Sequence, residues 1–142
     1  MRLIALTLFA CTFLGFASAQ QTSPASTAPA VKTEILAKSS SSWDGTPYKA
    51  YPAGQPEVTV VKITIPAHTS LKWHTHPMPN AGYVVSGELT VEKQDGTKKH
   101  FTAGQVVLET VGTIHRGITG DQPVELIVFY PGTPGMPLSQ LQ

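Results

Sequence analysis

From Val31 onward, apolar residues recur at every second position in short runs separated by turn formers, which is the period of a strand with one face buried. Val61, Ile63 and Ile65 alternate with Lys62 and Thr64, and Leu89 and Val91 alternate with Thr90 and Glu92. Asp95-Gly96 then reads as a two-residue hairpin turn into a return strand through Phe101. Val106 to Leu108 and Val124 to Tyr130 are denser apolar runs, which predicts strands covered on both faces. No segment holds the helical period. Many short strands with Gly and Pro between them predict an all-β domain, a single sandwich or barrel without internal repeat, over residues 31–142. Within it Asn80, Gly82 and Val84 share one parity, while Leu89 and Val91 carry the apolar pattern on the other. Gly87 lies at that change and predicts a bend or bulge at a barrel corner.

The first residues follow a different pattern. Met1-Arg2, the apolar run Leu3 to Phe16 and the small residues Ala17-Ser18-Ala19 have the order of a secretory signal, with cleavage expected after Ala19. The apolar run is shorter than the roughly 20 residues a helix needs to cross a membrane, so no membrane insertion is expected. A lipoprotein signal ending at Cys11 is the rival reading. Residues 20–30 carry no charge and no large apolar side chain and predict a flexible leader. The expected location is therefore exported, periplasmic or secreted.

Composition narrows the function classes. Ten Lys and Arg against nine Asp and Glu give a formal charge of +1, which leaves no electrostatic footprint for nucleic acid or an anionic membrane surface. The single Cys, Cys11, lies inside the signal, so thiol and disulfide chemistry are excluded from the mature chain.

Candidate chemistry rests on histidine. In Trp73-His74-Thr75-His76-Pro77 the two imidazoles are two residues apart and share a face of an extended chain. Alone, they fit a hydrogen-bonded polar patch as well as a metal site. His115, in Gly112-Thr113-Ile114-His115, adds a third imidazole, and neutral imidazole ligates Zn, Cu, Fe and Ni. His68 and His100 lie in polar surroundings and read as surface residues. Lys72 shares the parity of His74 and His76 and stands either at the pocket mouth or on a solvated strand end, while Trp73 points to the opposite face. Met78, in Pro77-Met78-Pro79-Asn80, is expected in a stiff loop at the site's entrance. Trp43 to Tyr48 and Tyr130 to Pro137 either cover the barrel opening, cross to a neighbouring subunit as a strand, or form plain surface loops.

From about Val58 to Phe129 the chain resembles the cupins, a family of double-stranded β-helix (jelly-roll) barrels. Their first motif is Gly, five residues, His-x-His, three or four residues, Glu, six residues, Gly. Here stand His74-x-His76, three residues, Asn80, six residues and Gly87. The second motif is Gly, five residues, Pro-x-Gly, two residues, His, three residues, Asn. Here stand Gly104, five residues, Thr110-x-Gly112, two residues, His115, three residues and Thr119. Thr69 replaces the leading Gly, Thr110 the Pro and Thr119 the Asn, all at turn positions. Asn80 occupies the place of the family's Glu ligand, and so either coordinates weakly, holds a metal-bound water or faces away.

The resemblance implies a divalent metal held by His74, His76 and His115, with Asn80 at the fourth ligand position. Three His plus water is a catalytic arrangement for Zn, and similar centres in thiol dioxygenases of the superfamily hold Fe. The affinity order of nitrogen sites outside the cytoplasm favours Zn or Cu, with Fe, Mn and Ni as alternatives. The implied function is a metal-dependent enzyme, dioxygenase-like or like an isomerase of sugars or hydroxy acids, on a small organic molecule. The alternatives are a non-catalytic module binding a small molecule or metal and a structural barrel. A homodimer is compatible with the fold. Neither Glu88 nor Glu109, each next to a motif residue, can be given a direction from the sequence.

Overall fold

The computed structural model describes residues 29–142. The signal over residues 1–19 lies outside the described residues, as does nearly all of the leader over residues 20–30. The compact unit runs from Glu34 to Gln142. It is built from nine strands: β1 (Glu57–Ile65), β2 (His74–Thr75), β3 (Ala81–Ser86), β4 (Glu88–Lys93), β5 (Lys98–Thr102), β6 (Val106–Leu108), β7 (His115–Thr119), β8 (Val124–Gly132) and β9 (Gln140–Leu141). They form a four-stranded sheet in the order β1-β8-β3-β6 and a five-stranded sheet in the order β5-β4-β7-β2-β9. Every strand pair within them is antiparallel. Among the described residues there is no helix long and apolar enough to cross a membrane.

Alternation decides which side chains enter the core. Ile65 on β1, Val84 on β3, Val107 on β6, and Val124, Leu126 and Val128 on β8 are buried, as are Leu89 and Val91 on β4 and Phe101 on β5. Met78 joins them with no exposed surface at all. The entrance position expected for Met78 is thereby corrected: its flexible thioether fills the core instead, as methionine does in irregular gaps. β8 also departs from the expectation of cover on both faces. Its outward residues Ile127 and Phe129 are 37% and 43% exposed, beside exposed Val58 and Val60 on β1 and Tyr83 and Val85 on β3. A dense apolar run here marks an apolar outer face rather than a doubly buried strand. The other sheet presents charge outward: Glu92 binds Arg116 and Lys98, each at 2.8 Å, and the Arg116 guanidinium lies 4.3 Å above the Trp73 ring.

The β4–β5 hairpin is one residue longer than its Asp-Gly signal suggests. The Lys93 N–H donates to the Thr97 carbonyl at 2.9 Å, so three residues form the loop, and the Gly96 N–H donates to the Lys93 carbonyl at 3.0 Å. Gly96 has φ +87°, the left-handed position that closes a three-residue hairpin.

Gly87 is the corner between the sheets, because β3 ends at Ser86 in one and β4 begins at Glu88 in the other. The register of β3 against β8 shifts between Val84 and Ser86, and Gly87 has φ +78°. A Cβ there would lie 2.2 Å from the Pro123 carbonyl oxygen, with rigid backbone on both sides. Gly87→Ala is expected to cost at least about 2 kcal/mol, left-handed strain plus the collision. Gly104→Ala, at φ +87° with nothing within 4 Å, should cost less. Urea denaturation of the two variants checks this, and equal losses would show that the collision adds nothing.

Candidate metal centre

The histidines meet where the two sheets face one another. His74 on β2 stands directly opposite His115 on β7 in the antiparallel register. His76, just past β2, bridges in parallel to Val111. One ring nitrogen from each of His74, His76 and His115 lies within 4.8 Å of the other two. The ring centroids are 4.6 to 5.1 Å apart. His76 and His115 are buried and His74 is half-buried. His68 and His100 are exposed and take no part.

Each ring is held by its Nδ1. His74 Nδ1 lies 2.9 Å from the Lys72 carbonyl oxygen and His76 Nδ1 lies 2.7 Å from that of Leu138. His115 Nδ1 lies 2.8 Å from the Thr113 carbonyl oxygen and 3.1 Å from Thr110 Oγ1. A carbonyl oxygen only accepts, so all three Nδ1 atoms carry a proton, and each ring in its neutral form presents an Nε2 lone pair. Backbone carbonyls commonly orient metal-binding imidazoles in this way. Burial pushes His74 and His76 below the ordinary histidine range, which keeps them neutral near pH 7.

The opposite sheet contributes a transverse polar row. Along β3 the inward residues are Val84, Gly82 and, one step before the strand, buried Asn80. Ala81 pairs with Leu108 and with Phe129, which places Asn80 beside Glu109 on one side and Tyr130 on the other. The Glu109 N–H donates to the Asn80 carbonyl at 3.0 Å. Glu109 continues the inward parity of Val107, and its Oε2 lies 3.2 Å from His115 Nε2. The Tyr130 ring centroid is 5.8 Å from that of His76. Burial would drive the Glu109 carboxyl up, but the three imidazoles, His115 foremost, hold it below the ordinary glutamate range. Burial likewise pushes His115 down, and the adjacent carboxylate outweighs it and holds the imidazole above its usual value. Tyr130 is pushed up to about 12 by burial and by the Glu109 charge, so its phenol keeps its proton.

Asn80 Oδ1, Glu109 Oε2 and His115 Nε2 are buried and have no hydrogen-bond partner. The last two are within ion-pair reach at 3.2 Å yet misaligned for a hydrogen bond. Buried polar atoms are rarely left in this state without a water or ion to satisfy them. Three converging imidazole nitrogens with an unpartnered carboxylate oxygen alongside fit a divalent cation.

Both terminal segments support the centre. The Trp43 N–H donates to the Leu108 carbonyl at 2.8 Å, and the Tyr48 hydroxyl donates to the Glu109 carbonyl at 2.8 Å. In the tail, β9 pairs with β2, Leu138 holds His76, and the Gln142 N–H donates to the Trp73 carbonyl. Strand β2 begins only at His74, so the parity argument does not extend to Lys72, which is exposed and serves through its carbonyl. The cation in the inward row of His115 is instead Lys93, paired with Asp44 at 3.0 Å and Asp95 at 3.2 Å.

Three departures from the cupin motifs also find reasons. Counted from His74, the leading Gly position falls on His68 rather than Thr69, and His68 is the one non-glycine with positive φ, +52°, among the described residues. Thr110 is fully buried and holds His115, a role beyond that of a turn residue. The Thr119 hydroxyl accepts from the Thr69 N–H at 2.9 Å and donates to the Pro66 carbonyl at 2.7 Å.

A cupin domain model matches residues 61–130. The protein is a cupin. No curated protein matches the chain. Among solved structures it is similar to the DMSP lyase DddQ from Ruegeria pomeroyi, with TM-score 0.54 and 19% identity over 69% of this chain and 47% of the lyase. It is also similar to the polyketide cyclase RemF from Streptomyces resistomycificus, with TM-score 0.51 and 20% identity over 59% of each chain. A cupin-like protein from Thermotoga maritima gives TM-score 0.51 and 13% identity over 60% of this cupin and 64% of that chain. At these identities the likeness is one of fold, and the cupin spans less than half the length of the lyase.

Deleting residues 137–142 of this cupin removes the carbonyl that orients His76. Zn²⁺ affinity of the folded product is expected to fall about 10–100-fold, the usual cost of losing an outer partner of a ligand. Competition with a chromogenic chelator measures it; undiminished affinity would show that Leu138 does not orient His76.

Proposed function

We propose that this cupin is an exported metal-dependent enzyme acting on a small organic molecule at a centre formed by His74, His76 and His115. The observation that carries the reading is the common orientation of the three rings, each Nδ1 tied to a carbonyl and each Nε2 left for a cation. A neutral three-nitrogen set favours Zn or Cu in the affinity order. When bound, such an ion supplies Lewis acidity toward a carbonyl or hydroxyl oxygen. Half-buried His74 marks the side from which a molecule approaches. Tyr130, on the facing sheet, offers a hydroxyl that stays protonated at neutral pH and can donate to an oxygen atom of the bound molecule. That donor supports proton-transfer chemistry on a hydroxy or keto compound over oxygen activation. The DMSP lyase and the polyketide cyclase show that the fold accommodates enzymes of small organic substrates.

One equivalent of Zn²⁺ or Cu²⁺ per chain is expected in the wild type by elemental analysis, falling below about a tenth in the His74→Ala/His76→Ala/His115→Ala variant. Equal occupancy in both would place the metal elsewhere. With the metal restored, turnover in a panel of hydroxy acids, keto acids and sugars should fall about 100-fold in Tyr130→Phe, the scale of a lost general acid. Metal and ligand binding without turnover across the panel would instead assign the non-catalytic binding module.

The export component rests on the order of Met1 to Ala19. Intact mass of the protein recovered outside the cytoplasm should correspond to a chain beginning at Gln20. A lipid-modified Cys11 would replace this with membrane anchoring.

A further inference from the structure

We infer that Glu109 supplies the carboxylate ligand that the first cupin motif lacks at Asn80, so that the carboxylate has moved across one strand pair rather than been lost. The inference rests on the proposed metal centre and adds a ligand to it. Four observations carry it.

The two positions are neighbours. Asn80 and Glu109 are joined by a backbone hydrogen bond of 3.0 Å and stand side by side in one transverse row facing the histidines. A carboxylate at either position therefore enters the same part of the barrel interior.

The separation from His115 is that of two ligands of one cation, although the ligand atoms that all lie within 4.8 Å of one another are those of the three histidines alone. Two ligand atoms each about 2.0–2.2 Å from one ion in tetrahedral arrangement stand about 3.4 Å apart. Glu109 Oε2 is 3.2 Å from His115 Nε2, and Nε2 is the nitrogen that the Nδ1 contacts leave for the metal.

The pair is in ion-pair contact but makes no aligned hydrogen bond. Both atoms are buried, both lack a hydrogen-bond partner, and the Glu109 side chain is only 15% exposed. An ionised carboxylate is costly to bury unless a cation or donors compensate it. The Glu109 backbone is fixed on both sides, by the Asn80 carbonyl and the Tyr48 hydroxyl, so the placement of its side chain is built in.

The residue at position 80 is compatible with this arrangement. Like charges directly opposite on adjacent strands destabilise a sheet. A glutamate at 109 therefore calls for a neutral partner at 80, and Asn80 is such a partner. The nitrogen-only set that favours Zn or Cu thereby becomes three nitrogens and one hard oxygen, which raises the standing of Fe, Mn and Ni.

The experiment exchanges the carboxylate between the two positions in the full-length protein. Zn²⁺ affinity is measured by chelator competition and the visible spectrum of bound Co²⁺ is recorded, for wild type, Glu109→Gln and Asn80→Glu/Glu109→Gln. Glu109→Gln should bind Zn²⁺ at least about 100-fold more weakly, beyond the usual loss for an outer partner, and should shift the Co²⁺ bands. The double variant should recover affinity to within about tenfold of wild type, which a merely structural role for Glu109 would not produce. Unchanged affinity and an unchanged Co²⁺ spectrum in Glu109→Gln overturn Glu109 as a ligand and leave the three-histidine centre standing. Weakened binding that the double variant does not recover also overturns the shared position. Absence of metal binding by the wild type overturns the centre itself, and Glu109 with it.

Discussion

Packing three imidazole rings within about 5 Å of one another inside a sandwich places six ring nitrogens where water is scarce. Burying such polar groups is tolerable only if every edge of every ring is satisfied. The fold meets half of that requirement from its own backbone. The carbonyls of Lys72, Leu138 and Thr113 each take one Nδ1 proton, and they come from the approach to β2, the approach to β9 and the turn before β7. The positions of those three segments, and therefore the order β7-β2-β9 in the second sheet, are tied to the centre as closely as the histidines are.

This dependence separates what the sequence reveals from what it hides. Alternation at Val61 to Ile65 and Leu89 to Val91 discloses strands because a side chain's face follows from parity alone. The same rule brings His74 and His76 together, and motif spacing adds His115. Gly87 is legible as a corner because a glycine stands where the apolar parity changes, and the structure supplies the reason, a Pro123 carbonyl that leaves no room for a Cβ. Glu109 is not legible: Val107 and Glu109 face inward, and Thr110 is buried next, so the alternation breaks beside the residue whose direction matters. The hold of Leu138 on His76 spans 62 positions and uses a carbonyl, which no side-chain pattern records. The apolar run of β8 misleads for a related reason, since hydrophobicity reports that a residue can be buried and not that it is.

The centre also shows two unlike sheets doing different work. One supplies the nitrogen donors, from β2 and β7, and carries charged pairs on its outer face. The other supplies the oxygen-bearing row of Tyr130, Asn80 and Glu109 and is apolar outside. Chemistry at the interface between them therefore depends on the spacing of the sheets, which Gly87 and the β3–β4 corner fix. A small change at that corner would alter the distance between the donor sets without touching either one.

The last strand gives the centre a place in time. Its imidazoles come from the middle of the chain, yet His76 is not oriented until residues 138–141 have paired along β2. A chain emerging from its N-terminus can close β4 on β5 early, because that hairpin is local. It cannot present three aligned Nε2 atoms until residues 138–141 are free to dock. A chain not yet made as far as Leu138 therefore lacks the carbonyl that aligns His76, and with it part of the grip on a cation.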